Sequence, residues 1–151
     1  MSAPKLSAVV SIHNEEDRLA DCLEKLTFAD EIVVILDRCT DRSKDIAAQF
    51  TDKLVEGGWE KEGDRRNAAI AACTGDWILE VDADEHVPPP LAEEIRKTIQ
   101  TTTYDWHEIP VDNYIGGKLV RHGWGASYGK AAYPGLFRNG VKLGLQRVHP
   151  R

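Results

Sequence analysis

Apolar residues in this chain fall into short separated runs, and the spacing inside the runs switches between two periods. Leu6–Ile12 (LSAVVSI) is compact and rich in β-branched residues, as expected of a strand buried on both faces. Leu19, Cys22, Leu23 and Leu26 then recur at three- and four-residue spacing, which predicts an amphipathic helix beginning near Glu15. Glu15, Glu16 and Asp17 would sit on its first turn, where the helix dipole favours negative charge. Glu31–Leu36 is a second buried strand, and a polar loop from Asp37 to Arg42 leads into a helix carrying Ile46, Ala47 and Phe50. A short third strand spans Lys53–Val55 and is closed by Gly57-Gly58. Asp64–Cys73 is alanine-rich and helical, with Gly75 at the place of a helix C-cap residue. Trp77–Val81 is the fourth strand, and it ends directly at Asp82-Ala83-Asp84-Glu85. Pro88–Pro90 precede a helix from Leu91 to about Gln100, because proline is tolerated at a helix start.

Strand and helix thus alternate three times before a fourth strand, the signature of an α/β fold with a mainly parallel sheet and right-handed crossovers. After Gln100 the texture changes. Tyr104–Val111 alternates loosely, Gly116-Gly117 is a possible turn, and Leu136–Arg138 and Val141–Leu143 flank Asn139-Gly140, a strong hairpin signal. These segments predict a small antiparallel appendage.

Composition narrows the picture. At 151 residues the chain has room for one core, so a single domain spanning 1–151 is expected. Nineteen basic against 25 acidic side chains give a net charge of −6, which argues against a nucleic-acid partner. Cys22, Cys39 and Cys73 are an odd, widely spaced set without a Cys-x-x-Cys pair. That spacing fits neither a disulfide framework nor a zinc knuckle, and it fits a reducing, cytoplasmic compartment. The apolar run at Leu6–Ile12 is too short to span a bilayer. Peripheral membrane contact stays compatible with the sequence.

In an open α/β sheet, ligands bind beyond the carboxyl ends of the strands, where strand order reverses. The segments in that position are His13-Asn14-Glu15, Asp37–Asp41 and Asp82–Glu85, each with a carboxylate. No Gly-x-Gly-x-x-Gly follows a strand and no Gly-Lys-Ser/Thr occurs, which disfavours a dinucleotide dehydrogenase and a P-loop NTPase. Asp82 and Asp84 can converge on one point if the chain turns there. Clustered carboxylates repel unless a cation offsets them, and Mg²⁺ typically combines one or two carboxylates with substrate phosphates. The competing reading is a solvated acidic turn, and the position after an apolar strand favours the metal. Arg65 and Arg66 open the preceding helix. They either contact a phosphate or base, or form a solvated face with Glu60, Glu62 and Asp64.

Taken in order, these residues resemble family 2 glycosyltransferases of the GT-A fold. The resemblance rests on Ser11-Ile12-His13-Asn14-Glu15, Thr40-Asp41-Arg42-Ser43, Arg66-Asn67 with Ala68 and Ala72, Gly75–Leu79, and Asp82-Ala83-Asp84-Glu85, and it covers about 90 residues. Gly123-Trp124, Leu136–Asn139 and Arg147-Val148-His149 are similar to the lipopolysaccharide-core glucosyltransferase branch. The resemblance implies a Rossmann-like nucleotide-binding half in residues 1–100 and a partial acceptor-side half in 101–151. It implies inverting transfer of a sugar from a nucleotide diphosphate donor, a UDP-sugar by family default, to a cell-envelope glycan or glycolipid, with Mn²⁺ or Mg²⁺ as cofactor. Ser11, Asn14 and Glu15 would border the nucleoside, and Asp41 and Arg66 would hold the base. Asp82 would contact ribose or metal, and Asp84 the metal. Many relatives carry an aspartate where this chain has Leu36, with Asp37 as the substitute one position later. His149 is the candidate general base, with a late metal ligand or an ordinary strand-end histidine as alternatives; His122 is a weaker candidate. Trp124 and Tyr128 would either stack on a sugar or fill the core of the appendage. Two rival functions remain: a truncated nucleotide-sugar-binding module, and a sugar nucleotidyltransferase. The latter would want a glycine- and arginine-rich loop where His13-Asn14-Glu15 stands.

Overall fold

A computed structural model describes residues 3–110 and 132–140. Ten elements follow in chain order: β1 (Leu6–Ile12), α1 (Leu19–Glu24), β2 (Glu31–Asp37), α2 (Ser43–Ala48), β3 (Lys53–Gly57), α3 (Glu62–Ala72), β4 (Trp77–Asp82), α4 (Pro89–Thr101), β5 (Trp106–Pro110) and β6 (Ala132–Arg138). The strands form one sheet of order β3-β2-β1-β4-β6-β5. The first four are parallel, while β6 runs antiparallel to both β4 and β5. The expected α/β fold is present. Its antiparallel strands, foreseen as an appendage, extend the main sheet itself: Leu136 pairs with Leu79, and Phe137 with Ile78. Both residues are buried, so the apolar strand β6 completes the core. Val141–Leu143 and the Gly116-Gly117 turn lie outside the described residues.

Side chains alternate across a strand, and this parity sorts the sheet into two apolar faces. Leu6, Ala8, Val10, Leu36, Trp77 and Leu79 face one way, under α1, α2 and α4. Val9, Val33, Ile35, Ile78 and Phe137 face the other, under α3 and its C-cap, which contribute Ala69 and Cys73. Helices on both faces explain why the central strands read as unbroken apolar runs.

Three local expectations need correction. The first helix begins at Leu19 and not near Glu15. The backbone N–H groups of Glu15 and Glu16 donate to Ser43 Oγ and Asp41 Oδ2, and these bonds to another loop hold the segment as turns. Pro89 and Pro90 lie inside α4, at its first positions, where no N–H is needed.

Gly75 is the third correction. The C-cap of α3 is Cys73, and Gly75 is required by a close approach to β1. A Cβ there would stand 2.7 Å from Ser7 Oγ, 2.9 Å from the Lys5 carbonyl oxygen and 2.9 Å from Ser7 N. Its N–H donates to the buried Ser7 hydroxyl at 2.8 Å. Gly75→Ala is therefore expected to lower stability by about 1–3 kcal/mol, as overpacking does, in urea unfolding. A smaller loss would mean that β1 can yield at this point.

Candidate functional site

The strand order turns at β1, which has β2 on one side and β4 on the other. Register places Ser11 beside Asp82, and Ile12 beside Leu36. Parity then puts Ser11, Asp37 and Asp82 on the α3 face, each at a carboxyl end. Leu36 points into the opposite core and is 2% exposed. Asp37 is thus the β2 carboxylate that shares a face with Ser11 and Asp82.

Asp37 is also 2% exposed and densely bonded. Its Oδ1 accepts from Arg38 Nε at 3.0 Å and from the Trp59 backbone N–H at 3.3 Å. Its Oδ2 lies 3.4 Å from Arg65 Nη1. Burial alone would raise this carboxyl, but the Trp59 N–H and the two guanidinium groups hold it below the ordinary aspartate value. It is therefore a fixed negative charge at the end of β2. Arg38 reaches it from a left-handed backbone conformation, φ 52°, which is uncommon for a residue with a Cβ.

Asn14 joins the loop after β1 to the loop after β2. Its Oδ1 accepts from the N–H groups of Thr40 at 2.7 Å and Asp41 at 3.1 Å, and its Nδ2 donates to Thr40 Oγ1 at 3.3 Å. Asp41 reciprocates by accepting from Glu16 N–H and Ser43 N–H, and Arg42 N–H donates to Glu16 Oε1 at 2.9 Å. His13 Nδ1 donates to the Asp37 carbonyl at 2.8 Å. Asn14 and Asp41 thus spend their side chains on the loops themselves, while Glu15 pairs with Arg18 at 3.2 Å. Asn14 also has φ 53°, a conformation that asparagine tolerates better than most residues. Asn14→Ala should lower stability by about 2–3 kcal/mol through lost hydrogen bonds plus backbone strain. Asn14→Gly should lose less, because it relieves the strain. Equal losses in thermal unfolding would remove the conformational part of this account.

Asp82 ends β4 in a tight turn: Glu85 N–H donates to the Asp82 carbonyl at 2.9 Å, and Asp82 N–H donates to Glu85 Oε1 at 3.0 Å. The turn gathers one carboxylate oxygen each from Asp82, Asp84 and Glu85 within 4.8 Å of one another. Burial and then the charge of Asp84 push the Asp82 carboxyl above its ordinary value, partly countered by Arg65. Three hard oxygen donors gathered this closely fit a divalent cation such as Mg²⁺ or Mn²⁺. Nearby, burial followed by these carboxylates pushes the Cys22 thiol up to about 12, so it is an inert packing group.

Arg66 pairs with a carboxylate earlier in β4. Its Nε and Nη2 donate to Glu80 Oε2 and Oε1 at 2.8 and 2.7 Å. Glu80 was not foreseen as the partner of Arg66, yet a lone charge inside the apolar run Trp77–Val81 was the available signal. Glu85 and Arg38, though local to Asp82 and Asp37, were not assigned roles, and Trp59 was missed because only a contact 22 positions away brings it to Asp37. His149, His122, Trp124 and Tyr128 lie outside the described residues.

Comparison with known proteins agrees with this fold. The model of glycosyl transferase family 2 matches residues 7–138. The chain is 33% identical over 92 residues to an uncharacterized glycosyltransferase of Rickettsia felis, covering 60% of this chain and 32% of that protein. It is also 33% identical over 99 residues to the poly(ribitol-phosphate) beta-glucosyltransferase of Bacillus spizizenii, covering 55% of this chain and 15% of that one. The chain spans about a third of the length of the curated relatives it matches first. Among solved structures, glucosyl-3-phosphoglycerate synthase from Mycobacterium tuberculosis, in complex with Mg²⁺ and UDP, shares the fold. Its TM-score is 0.59 at 18% identity, over 70% of this chain and 42% of that one. The mannosyltransferase PcManGT from Pyrobaculum calidifontis, in complex with GDP-Man and Mn²⁺, has TM-score 0.58 at 19% identity, over 72% and 35%.

Proposed function

The chain belongs to glycosyl transferase family 2, and on that premise we propose that it carries the donor site of an inverting, divalent-metal-dependent glycosyltransferase. The donor is a nucleotide diphosphate sugar, and the acceptor a cell-envelope glycan or glycolipid, of the lipopolysaccharide-core kind in the narrower reading. The observation that carries this is that Ser11, Asp37 and Asp82 stand at the ends of neighbouring strands on one face of the sheet, with Asp84 and Glu85 beside Asp82. Ser11 and Asp37 border the nucleoside. Asn14 and Asp41 hold the two loops that frame it, with Glu15 at their junction. Asp82 and Asp84, joined by Glu85, hold the metal, which when bound neutralises charge on the leaving diphosphate.

The named partners of similar proteins support the class of ligand: UDP for the mycobacterial synthase, GDP-Man for the archaeal mannosyltransferase, and poly(ribitol-phosphate) for the Bacillus enzyme. Three free cysteines fit a cytoplasmic site of action. No helix among the described residues is long and apolar enough to cross a membrane. His149 is proposed as the base that takes the acceptor proton.

Donor hydrolysis with UDP- and GDP-sugars, with and without Mn²⁺, tests the reading. Metal-dependent release of the nucleoside diphosphate is expected, with Asp84→Ala inactive. Tight donor binding without turnover would favour a nucleotide-sugar-binding module. Absence of both binding and turnover with every donor would end the reading.

A further inference from the structure

Two adjacent arginines stand in the first half of α3, and neighbours on a helix point about 100° apart, so they cannot serve one ligand equally. Both side chains are similarly accessible, 29% for Arg65 and 24% for Arg66, so exposure does not separate them. Their partners do. Arg66 makes a two-pronged pair with Glu80, and its Cζ stands 5.9 Å from the Phe137 ring centre. Glu80 is itself only 21% exposed, and both of its carboxylate oxygens accept from Arg66. Turning Arg66 toward a ligand would take that compensation from a half-buried carboxylate, which is costly.

Arg65 is held much more loosely. It has one contact of 3.4 Å to Asp37 Oδ2 and one of 3.9 Å to Glu62, whose side chain is 78% exposed. If Arg65 turned away, Asp37 would keep Arg38 and the Trp59 N–H on its other oxygen. Its contact with Asp37 puts Arg65 on the α3 face at the carboxyl end of β2, and Ser11 of β1 fills the interval from there to Asp82 at the end of β4. That interval separates the nucleoside end of the site from its metal end. A planar guanidinium with unspent donors suits phosphate oxygens.

Resting on the donor site proposed above, we infer that Arg65, and not Arg66, is the cationic contact to the diphosphate of the nucleotide. Arg66 is a structural partner of Glu80. The test is calorimetric titration with UDP plus Mn²⁺, and with GDP plus Mn²⁺, alongside competition by uridine. Arg65→Gln is expected to weaken nucleoside diphosphate binding about tenfold to a hundredfold, the usual effect of losing one charged hydrogen bond, and to leave uridine competition unchanged. Because Arg66→Gln alone risks unfolding, the comparison uses the double variant Arg66→Met with Glu80→Met, since replacing both members of such a pair by apolar residues is generally tolerated. That variant should bind UDP within about twofold of wild type, with thermal unfolding reporting that it folds.

The inference is overturned if Arg65→Gln binds UDP and GDP as wild type does, or if the folded double variant loses tenfold or more. A wild-type chain that binds neither nucleotide removes the donor site itself. That outcome is distinct from a wild type that binds and an Arg65 variant that binds equally well.

Discussion

Saturating UDP with Mn²⁺ is expected to raise the Tm of the wild-type chain by about 5–10 °C, and Asp84→Ala to abolish the rise. A ligand at a hundred times its Kd stabilises a fold by about 2.7 kcal/mol, and each kcal/mol moves the Tm of a domain this size by about 2–4 °C. The variant should behave oppositely without metal. Burial and the charge of Asp84 both raise the Asp82 carboxyl. A carboxylate raised by the fold opposes folding once ionised, and that cost grows as pH climbs through the carboxylate range. At neutral pH the metal-free Asp84→Ala protein should thus be slightly more stable than wild type, by about 0.5 kcal/mol, kept small by water and salt. A gain without ligand and a loss with it is a pair of signs that general damage to the turn would not produce. Differential scanning fluorimetry at low and high salt reads both.

Trp77→Ala should have the largest effect on the fold, about 3–5 kcal/mol in urea unfolding. Trp77 is fully buried at the first position of β4, where it pairs with Leu6 of β1 and Arg138 of β6. Its ring lies 6.1 Å from that of His107, and Arg138 Cζ stands 4.6 Å from its centre. Removing it opens a cavity where β1, β4, β5 and β6 meet. Domains are stable by only about 5–15 kcal/mol, so such a loss is a large part of the whole. Trp77→Phe, which keeps an apolar ring, should lose clearly less; an equal loss would mean that the indole size is not what matters.

These expectations separate what is local in the sequence from what is not. Strand and helix periods are local, so β1 to β4 and the helices between them could be read directly. The acidic turn after β4 is local too, since Asp82, Asp84 and Glu85 lie within four residues. The pairing of β6 with β4 joins residues about sixty positions apart, and no run of letters fixes it. The bonds from Asn14 to Thr40 and Asp41 cross 26 and 27 positions, so an asparagine framed as a nucleoside neighbour proves to be occupied by another loop. The same distance problem hides the Arg66–Glu80 pair, which joins a helix to a strand. Parity shows what spacing could not at the end of β2: which residue shares the face of Ser11 and Asp82. Asp37 points to the α3 face while Leu36 points away.

The central claim is that Asp82, Asp84 and Glu85 hold a divalent ion against the diphosphate of a bound nucleotide. Crystals grown with UDP and Mn²⁺, measured at the manganese absorption edge, test it most directly. The account predicts one anomalous peak at coordination distance from an Asp84 carboxylate oxygen and from the UDP phosphates. UDP bound with no manganese at this turn, or manganese bound elsewhere in the chain, would contradict it.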